Sequence, residues 1–341
     1  MRNLHLLFFV LISCLTIACS KDADDTGDKD FTHSCKTVDS GLTPEELARV
    51  NAYAGTSKVY LEQGLFDTTV EAKRQSKAGP VIPSVATTSK ADTLLVNDYQ
   101  VLRLTPQTIQ KADTVILYIH GGAYLFDMNS LHVMSVDEMC QRLGVVAYMP
   151  SYPLLPNVTY EVAHAMVRQL YTDLLAKGKK VLLMGDSAGG GFALALAQWA
   201  HQSGVAMPER MVLLSPWLDV TMANPDIAGY EAKDVTLANY GLVKCGQLWA
   251  GIDDLSQIRN NTQVCPLYGD LTGMPPTLLF VGTAEVMYPD VTSLYERLVA
   301  KHSTVHLVYG KDLFHVYPLY FRSANLPAAT EAIADICNFV K

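Results

Sequence analysis

This sequence is short of basic charge. It sets 26 Lys and Arg against 34 Asp and Glu, a net charge of −8 over 341 residues, and the cations form no stripe. Phosphate backbones are held by clustered Lys and Arg, so nucleic acid is excluded as the main partner. There is no Cys-x-x-Cys pair, the framework of a structural zinc or a dithiol redox centre, so no metal is expected. No segment repeats another, which excludes solenoids and propellers. Charged residues make up 18% of the chain and apolar ones 49%. A chain of this length and composition can bury a substantial core, as one large α/β domain or two small ones.

A basic start, Met1-Arg2, leads into the mostly apolar stretch Leu4 to Ala18. That pattern describes a secretory signal, too short and wrongly flanked for a spanning helix. The stretch ends at Cys19 and not at an Ala-x-Ala site. It resembles a bacterial lipoprotein signal, whose cysteine becomes the lipidated first residue. Ser20-Lys21-Asp22-Ala23-Asp24-Asp25 then looks like the acidic tether, or the surface-export signal, of Bacteroidetes-type lipoproteins. Leu11-Ile12-Ser13-Cys14 is a second match with a shorter signal, and an uncleaved anchor or a plain secreted protein also fits. The expected organisation is a signal over 1–18, lipidation at Cys19 and a flexible tether over 19–40, where apolar periodicity is lacking. The membrane would then be met only through the lipid anchor, at the bacterial cell envelope. Five further cysteines, Cys35, Cys140, Cys245, Cys265 and Cys337, leave at least one thiol unpaired. Cys140 and Cys337 fall in helical apolar patterns and read as core.

After the tether, Leu42-Thr43-Pro44-Glu45-Glu46-Leu47 is a helix start: Thr43 caps, Pro44 suits the first position and Glu46 completes a capping box. Helical chain is expected to about Lys77, and residues 41–92 read as a lid segment. Residues 93–104 alternate around the turn signal Asn97-Asp98 and read as a hairpin. Beyond them, continuous apolar runs (114–119, 145–150, 181–184, 211–214, 277–281, 305–309) alternate with helical stretches (130–143, 160–176, 188–201, 290–301, 327–339). Continuous runs suit strands buried on both faces, and the alternation gives a mostly parallel, doubly wound α/β sheet over 93–341. Residues 217–262 are too long for an ordinary connection and are expected to be functional cover.

The central signal is Val181-Leu182-Leu183-Met184-Gly185-Asp186-Ser187-Ala188-Gly189. A strand, a sharp turn with a serine and a small-residue helix make a nucleophile elbow. Side chains at 185 and 189 would collide with the neighbouring strand and helix. A serine hydroxyl needs a base, and the base an orienting carboxylate. In the order of such elbows the acid and the histidine follow the serine, on loops after later strands. His315, in Gly310-Lys311-Asp312-Leu313-Phe314-His315, follows the last strand and is the candidate base. His306 lies within that strand, and His201 and His302 end helices. Glu285 follows the preceding strand and is the candidate acid. Asp290, at the start of the next helix, is the alternative, and Asp312 a third. The oxyanion needs backbone donors: Gly121 and Gly122 of His120-Gly121-Gly122-Ala123, and Ala188 behind the nucleophile. His120 reads as a support of the glycine loop, with a second base as the other reading. Asp186 and Asp219 read as structural. Tyr124, Phe126, Trp217 and Trp249 suit either core or pocket.

These motifs, in this order, resemble the hormone-sensitive-lipase-like family of α/β-hydrolases over residues 93–341. Pro266-Leu267-Tyr268-Gly269-Asp270-Leu271, followed by Pro275-Pro276, is similar to that family's approach to its acid strand. Ala123 stands where many members have a third glycine, and Glu285 where many have Asp. The resemblance implies an α/β-hydrolase fold, a Ser187–Glu285–His315 triad, lids from about 41–85 and 217–262, and no cofactor. It also implies hydrolysis of short-to-medium acyl esters, and export to an outer surface suggests small or glycan-linked ones. A lactonase or peptidase would use the same triad. The plant gibberellin receptors, non-catalytic relatives of the family, lack the catalytic histidine.

Overall fold

The computed structural model describes residues 31–76 and 78–341. The signal stretch, Cys19 and the acidic run after it lie outside the described residues. Among the described residues nine strands form one sheet: β1 (His33–Val38), β2 (Lys90–Val96), β3 (Tyr99–Thr105), β4 (Thr114–Ile119), β5 (Val146–Pro150), β6 (Lys180–Asp186), β7 (Arg210–Leu214), β8 (Thr277–Gly282) and β9 (Val305–Gly310). Their order is β1-β9-β8-β7-β6-β4-β5-β3-β2. Neighbours from β1 through β5 run parallel, and β3 runs antiparallel to both β5 and β2. The helices are α1 (Pro44–Ala54), α2 (Gln63–Ser76), α3 (Ser130–Leu143), α4 (Tyr160–Ala176), α5 (Ser187–Gln202), α6 (Asn239–Ala250), α7 (Leu255–Arg259), α8 (Tyr288–Ala300) and α9 (Pro327–Phe339).

The central parallel strands are mostly apolar because helices cover both faces. Val115, Leu117 and Ile119 of β4 enter one core with α4, α5, α6 and α8. Ile116 and Tyr118 enter the other, with α3 and α9. The β2–β3 turn is Asn97-Asp98, both at positive φ (47° and 66°), as a tight two-residue hairpin turn requires. At the start of α1, Thr43 and Glu46 form the reciprocal capping box.

One expectation needs correction. The tether does not extend to residue 40: residues 33–38 form β1, hydrogen-bonded in parallel along β9. Only Val38 of this strand is buried. An edge strand with one buried side chain shows no alternation, so composition hides it.

The N-terminal cover and the 217–262 insertion pack on each other above the C-terminal ends of the central strands. Lys58 Nζ donates to the carbonyl of Asp234 at 2.5 Å and Ser57 Oγ to that of Thr236 at 3.4 Å. Phe66 of α2 meets Tyr240 of α6 edge to face at 6.0 Å. Among the described residues no helix is long and apolar enough to cross a membrane.

Candidate active site

β6 ends at Asp186 and α5 begins at Ser187. Ser187 sits at φ 50°, a left-handed conformation that costs a non-glycine residue energy and holds its side chain clear of the turn. The flanking glycines have a measurable reason. A Cβ on Gly189 would lie 2.0 Å from the carbonyl oxygen of Ile119, and one on Gly185 2.4 Å from that of Gly189. The turn is tied to the insertion by Trp217 N–H, which donates to Ser187 O at 2.8 Å.

His315 follows β9 and Glu285 follows β8. The imidazole Nδ1 is hydrogen-bonded to Glu285 Oε2. The other carboxylate oxygen accepts from Gly282 N–H (2.6 Å) and Ser215 Oγ–H (2.6 Å). Burial alone would lower the pKa of His315, but the carboxylate of Glu285, with Asp234 and Asp186 behind it, raises it above the ordinary value. His315 Nε2 is buried without a protein partner. His315 and Ser187 line one cavity of about 480 Å³ but are not hydrogen-bonded to each other. The other carboxylates stand apart. Asp290, in the first turn of α8, accepts from Asn224 Nδ2 at 2.7 Å, and burial pushes its pKa up to about 6. Asp312 is exposed, its N–H bonded to Thr283 Oγ1. Neither is hydrogen-bonded to His315. His306 bonds Ser34 on β1, and His201 and His302 are exposed.

On the glycine loop the structure departs from expectation. Gly121 N–H donates to the buried carboxylate of Asp186 at 2.9 Å and is spent there, so Gly121 is not a free oxyanion donor. The same carboxylate accepts from Tyr118 OH (2.8 Å) and contacts His132 Nε2 (3.3 Å). Burial would raise the pKa of Asp186, yet His132 and these donors hold it below the usual value. The N–H groups of Gly122 and Ala123 meet no acceptor among the described residues, and both residues line the cavity. Gly122 has φ 110°, and a Cβ there would lie 2.6 Å from Phe126 O. Ala188 lies in the first turn of α5, where backbone N–H groups lack helical partners. His120 is outside the cavity. Its Nδ1 bonds Gly121 O at 2.7 Å and its ring stacks on Tyr152 at 4.4 Å. Burial pushes its pKa down to about 4, so it is a neutral prop for the loop.

Both covers reach the cavity: Ser57 and Leu61 from the first, Thr236 and Leu237 from the insertion. Of the four aromatics that suited pocket or core, Phe126 lines the cavity. Tyr124, Trp217 and Trp249 are buried as a stack beneath it, with Tyr124–Trp249 centroids 4.0 Å apart. Asp219 anchors its own loop, accepting from Thr221 N–H (2.9 Å) and Tyr268 OH (2.8 Å). Among the described residues no three His, Cys, Asp or Glu side chains are grouped to hold a metal.

Two site residues escaped the sequence reading. Ser215, at φ 44° after β7, donates to Glu285 and accepts the N–H of Val316 at 3.0 Å. Asp234, buried in the insertion, accepts from Val286 N–H (2.9 Å), next to Glu285, and from Thr236 and Leu237 N–H (2.8 and 2.9 Å). Their only sequence signals were Ser-Pro after a strand and Asp-x-Thr in a loop, patterns that turns use everywhere.

A family model described as alpha/beta hydrolase fold matches residues 116–319. The chain belongs to this family. This hydrolase is 30% identical over 236 residues to an esterase of Acinetobacter venetianus, covering 67% of the present chain and 75% of the relative. It is 32% identical over 218 residues to a triacylglycerol lipase of Mycobacterium tuberculosis, covering 63% of this chain and 44% of that one. A solved esterase of the bacterial hormone-sensitive lipase family superposes with a TM-score of 0.75 at 24% identity, over 87% of this chain and 98% of its own. That likeness supports the fold.

Proposed function

We propose that this hydrolase is a serine carboxylesterase with Ser187 as nucleophile, His315 as base and Glu285 as acid, acting on short-to-medium acyl esters. Ser187 Oγ attacks the ester carbonyl carbon as its proton passes to His315 Nε2. The imidazolium is held by Glu285. The oxyanion is met by N–H groups of Gly122 and Ala188, joined by Ala123 in place of Gly121. Collapse expels the alkoxide, which takes the proton from His315 and leaves an acyl-Ser187 ester. Water then attacks that ester, His315 takes its proton, and the acid departs as the serine is restored. The observation that carries this reading is the His315 edge opposite Glu285, unpartnered on the cavity that Ser187 also lines. The missing Ser187–His315 bond fits a site that tightens when substrate binds.

The relatives named esterase and lipase support ester hydrolysis, and the apolar cavity supports acyl recognition. The lipid anchor at Cys19 and the envelope location belong to the same proposal and rest on the N-terminal sequence alone. Ser187→Ala is expected to lower p-nitrophenyl acetate turnover by about 10⁴–10⁶ with folding unchanged. Near-parental turnover would overturn the assignment. A fluorophosphonate probe should label the parent at Ser187, whereas a binding protein on the same scaffold would stay unlabelled.

A further inference from the structure

Trp199 lies about 18 Å along α5 from Ser187 by the helix rise. Around it is a second cavity of about 310 Å³, walled by Arg168 of α4, Trp199 and Gln202 of α5, and Asn260, Asn261 and Gln263 after α7. No Asp or Glu lines it. Arg168 is its one charge, and it makes no ion pair among the described residues. Nη2 donates to Gln263 Oε1 at 2.6 Å and contacts the buried His164 Nδ1 at 3.4 Å. The guanidinium lies over the Trp199 ring, 4.9 Å from its centroid, and Nε is buried without an acceptor. Burial lowers the pKa of Arg168, opposed only by Tyr160 and by no carboxylate.

A half-buried guanidinium without a counter-ion among the described residues is half of an ion pair, and its planar fork matches a carboxylate. The amides beside it are equally uncommitted. The side chains of Gln202 and Asn260 make no hydrogen bond among the described residues, and Asn261 uses only its oxygen, to Gln263 N–H at 3.0 Å. Free amides offer donors and acceptors together, which is what a ring of hydroxyls requires.

We infer that this cavity binds an acidic sugar, a hexuronate-type residue whose carboxylate pairs with Arg168 and whose hydroxyls meet the amides of Gln202, Asn260 and Asn261. The site is separate from Ser187, and the inference does not rest on the esterase reading.

Trp199 supplies the readout, because the other two tryptophans, Trp217 and Trp249, are fully buried. The intact protein is titrated with glucuronate, glucose and acetate at constant ionic strength, by tryptophan fluorescence and in parallel by calorimetry. A saturable response to glucuronate is expected, at least about tenfold tighter than to glucose or acetate, as one charge-assisted bond would give. Arg168→Gln should weaken it at least about tenfold while ester turnover and unfolding temperature stay at parental values. The double variant Gln202→Ala/Asn260→Ala, on exposed positions, repeats the test should Arg168→Gln fold poorly. No saturable response by either method, an equal response to acetate, or unchanged glucuronate binding in these variants overturns the inference.

Discussion

Glu285 and His315 form a buried pair whose hydrogen bonding is complete except on the side facing the cavity. Because the carboxylate raises the pKa of His315, the imidazole holds its proton to a higher pH than a free one. Under the triad proposal only the neutral form accepts the serine proton, so kcat/KM should fall as pH drops through a point above about 6.5. Glu285→Gln should move that limb to lower pH and lower kcat by about 10²–10⁴, with a profile measured from pH 5 to 9 as the check. Asp290 provides the contrast. Its folded pKa, about 6 against an ordinary 3.8, means that the native state binds the proton more tightly than the unfolded chain. Its contribution is therefore fully present below pH 3.8 and is lost as pH rises through about 6. The loss amounts to at most about 3 kcal/mol. Asp290→Asn should accordingly unfold at a higher temperature than the parent at pH 8, with the gain shrinking toward pH 4. It should keep turnover within a few-fold, and a loss as deep as that of Glu285→Gln would return Asp290 to candidacy as the acid. At this scale the strand-end placement of Ser187, Glu285 and His315 and the pairing of the last two were legible, because each sits within a short local motif. Gly121 was misread because its N–H is taken by Asp186, a tertiary pairing invisible in the string His-Gly-Gly.

Elements meet at Asp234. Its backbone carbonyl holds Lys58 of the first cover, its carboxylate folds the Thr236–Leu237 turn over the cavity, and the same carboxylate grips Val286 beside the acid. The two covers and the loop that carries Glu285 thus meet at one buried residue, and its side-chain charge also raises the pKa of His315. Asp234→Asn removes that charge and an acceptor while keeping the shape. Hydrogen bonds to charged groups contribute about 1.5–3 kcal/mol, so kcat/KM should fall by about tenfold or more, with KM rising as the turn loosens. The diagnostic sign is the acid limb of the profile moving to lower pH. A drop in unfolding temperature alone, with that limb in place, would make Asp234 merely structural. The insertion was legible as cover from its length, and α1 from its cap. The Asp234 lock was not, because it pairs residues over fifty positions apart. β1 was hidden for a different reason: it adds backbone hydrogen bonds to an edge and almost no buried side chain.

For the whole molecule, the alternation of buried strands and amphipathic helices determined the doubly wound sheet, and that sheet gathers the ends of β6, β8 and β9 at one edge. The architecture was therefore readable from apolar runs alone, whereas the size of the cavity was not. It depends on how two covers, joined to the sheet at distant points, close over the elbow. Leu61 comes from one cover and Leu237 from the other, and both line the 480 Å³ space. Gly241 lets the covers approach, since a Cβ there would lie 2.7 Å from the Leu61 backbone. A cavity of this volume is at the lower end of those that enclose a drug-sized ligand, which under the esterase proposal favours short and medium acyl groups over long ones. Turnover of p-nitrophenyl butyrate should exceed that of the palmitate ester at equal concentration. Leu61→Ala/Leu237→Ala should narrow the difference by enlarging the apolar space, each truncation changing the relative kcat/KM by about 10-fold or more for chains that reach it. If the variant's chain-length profile overlays the parent's, the covers do not set acyl selectivity, and the limit lies in the sheet-side wall of the cavity instead.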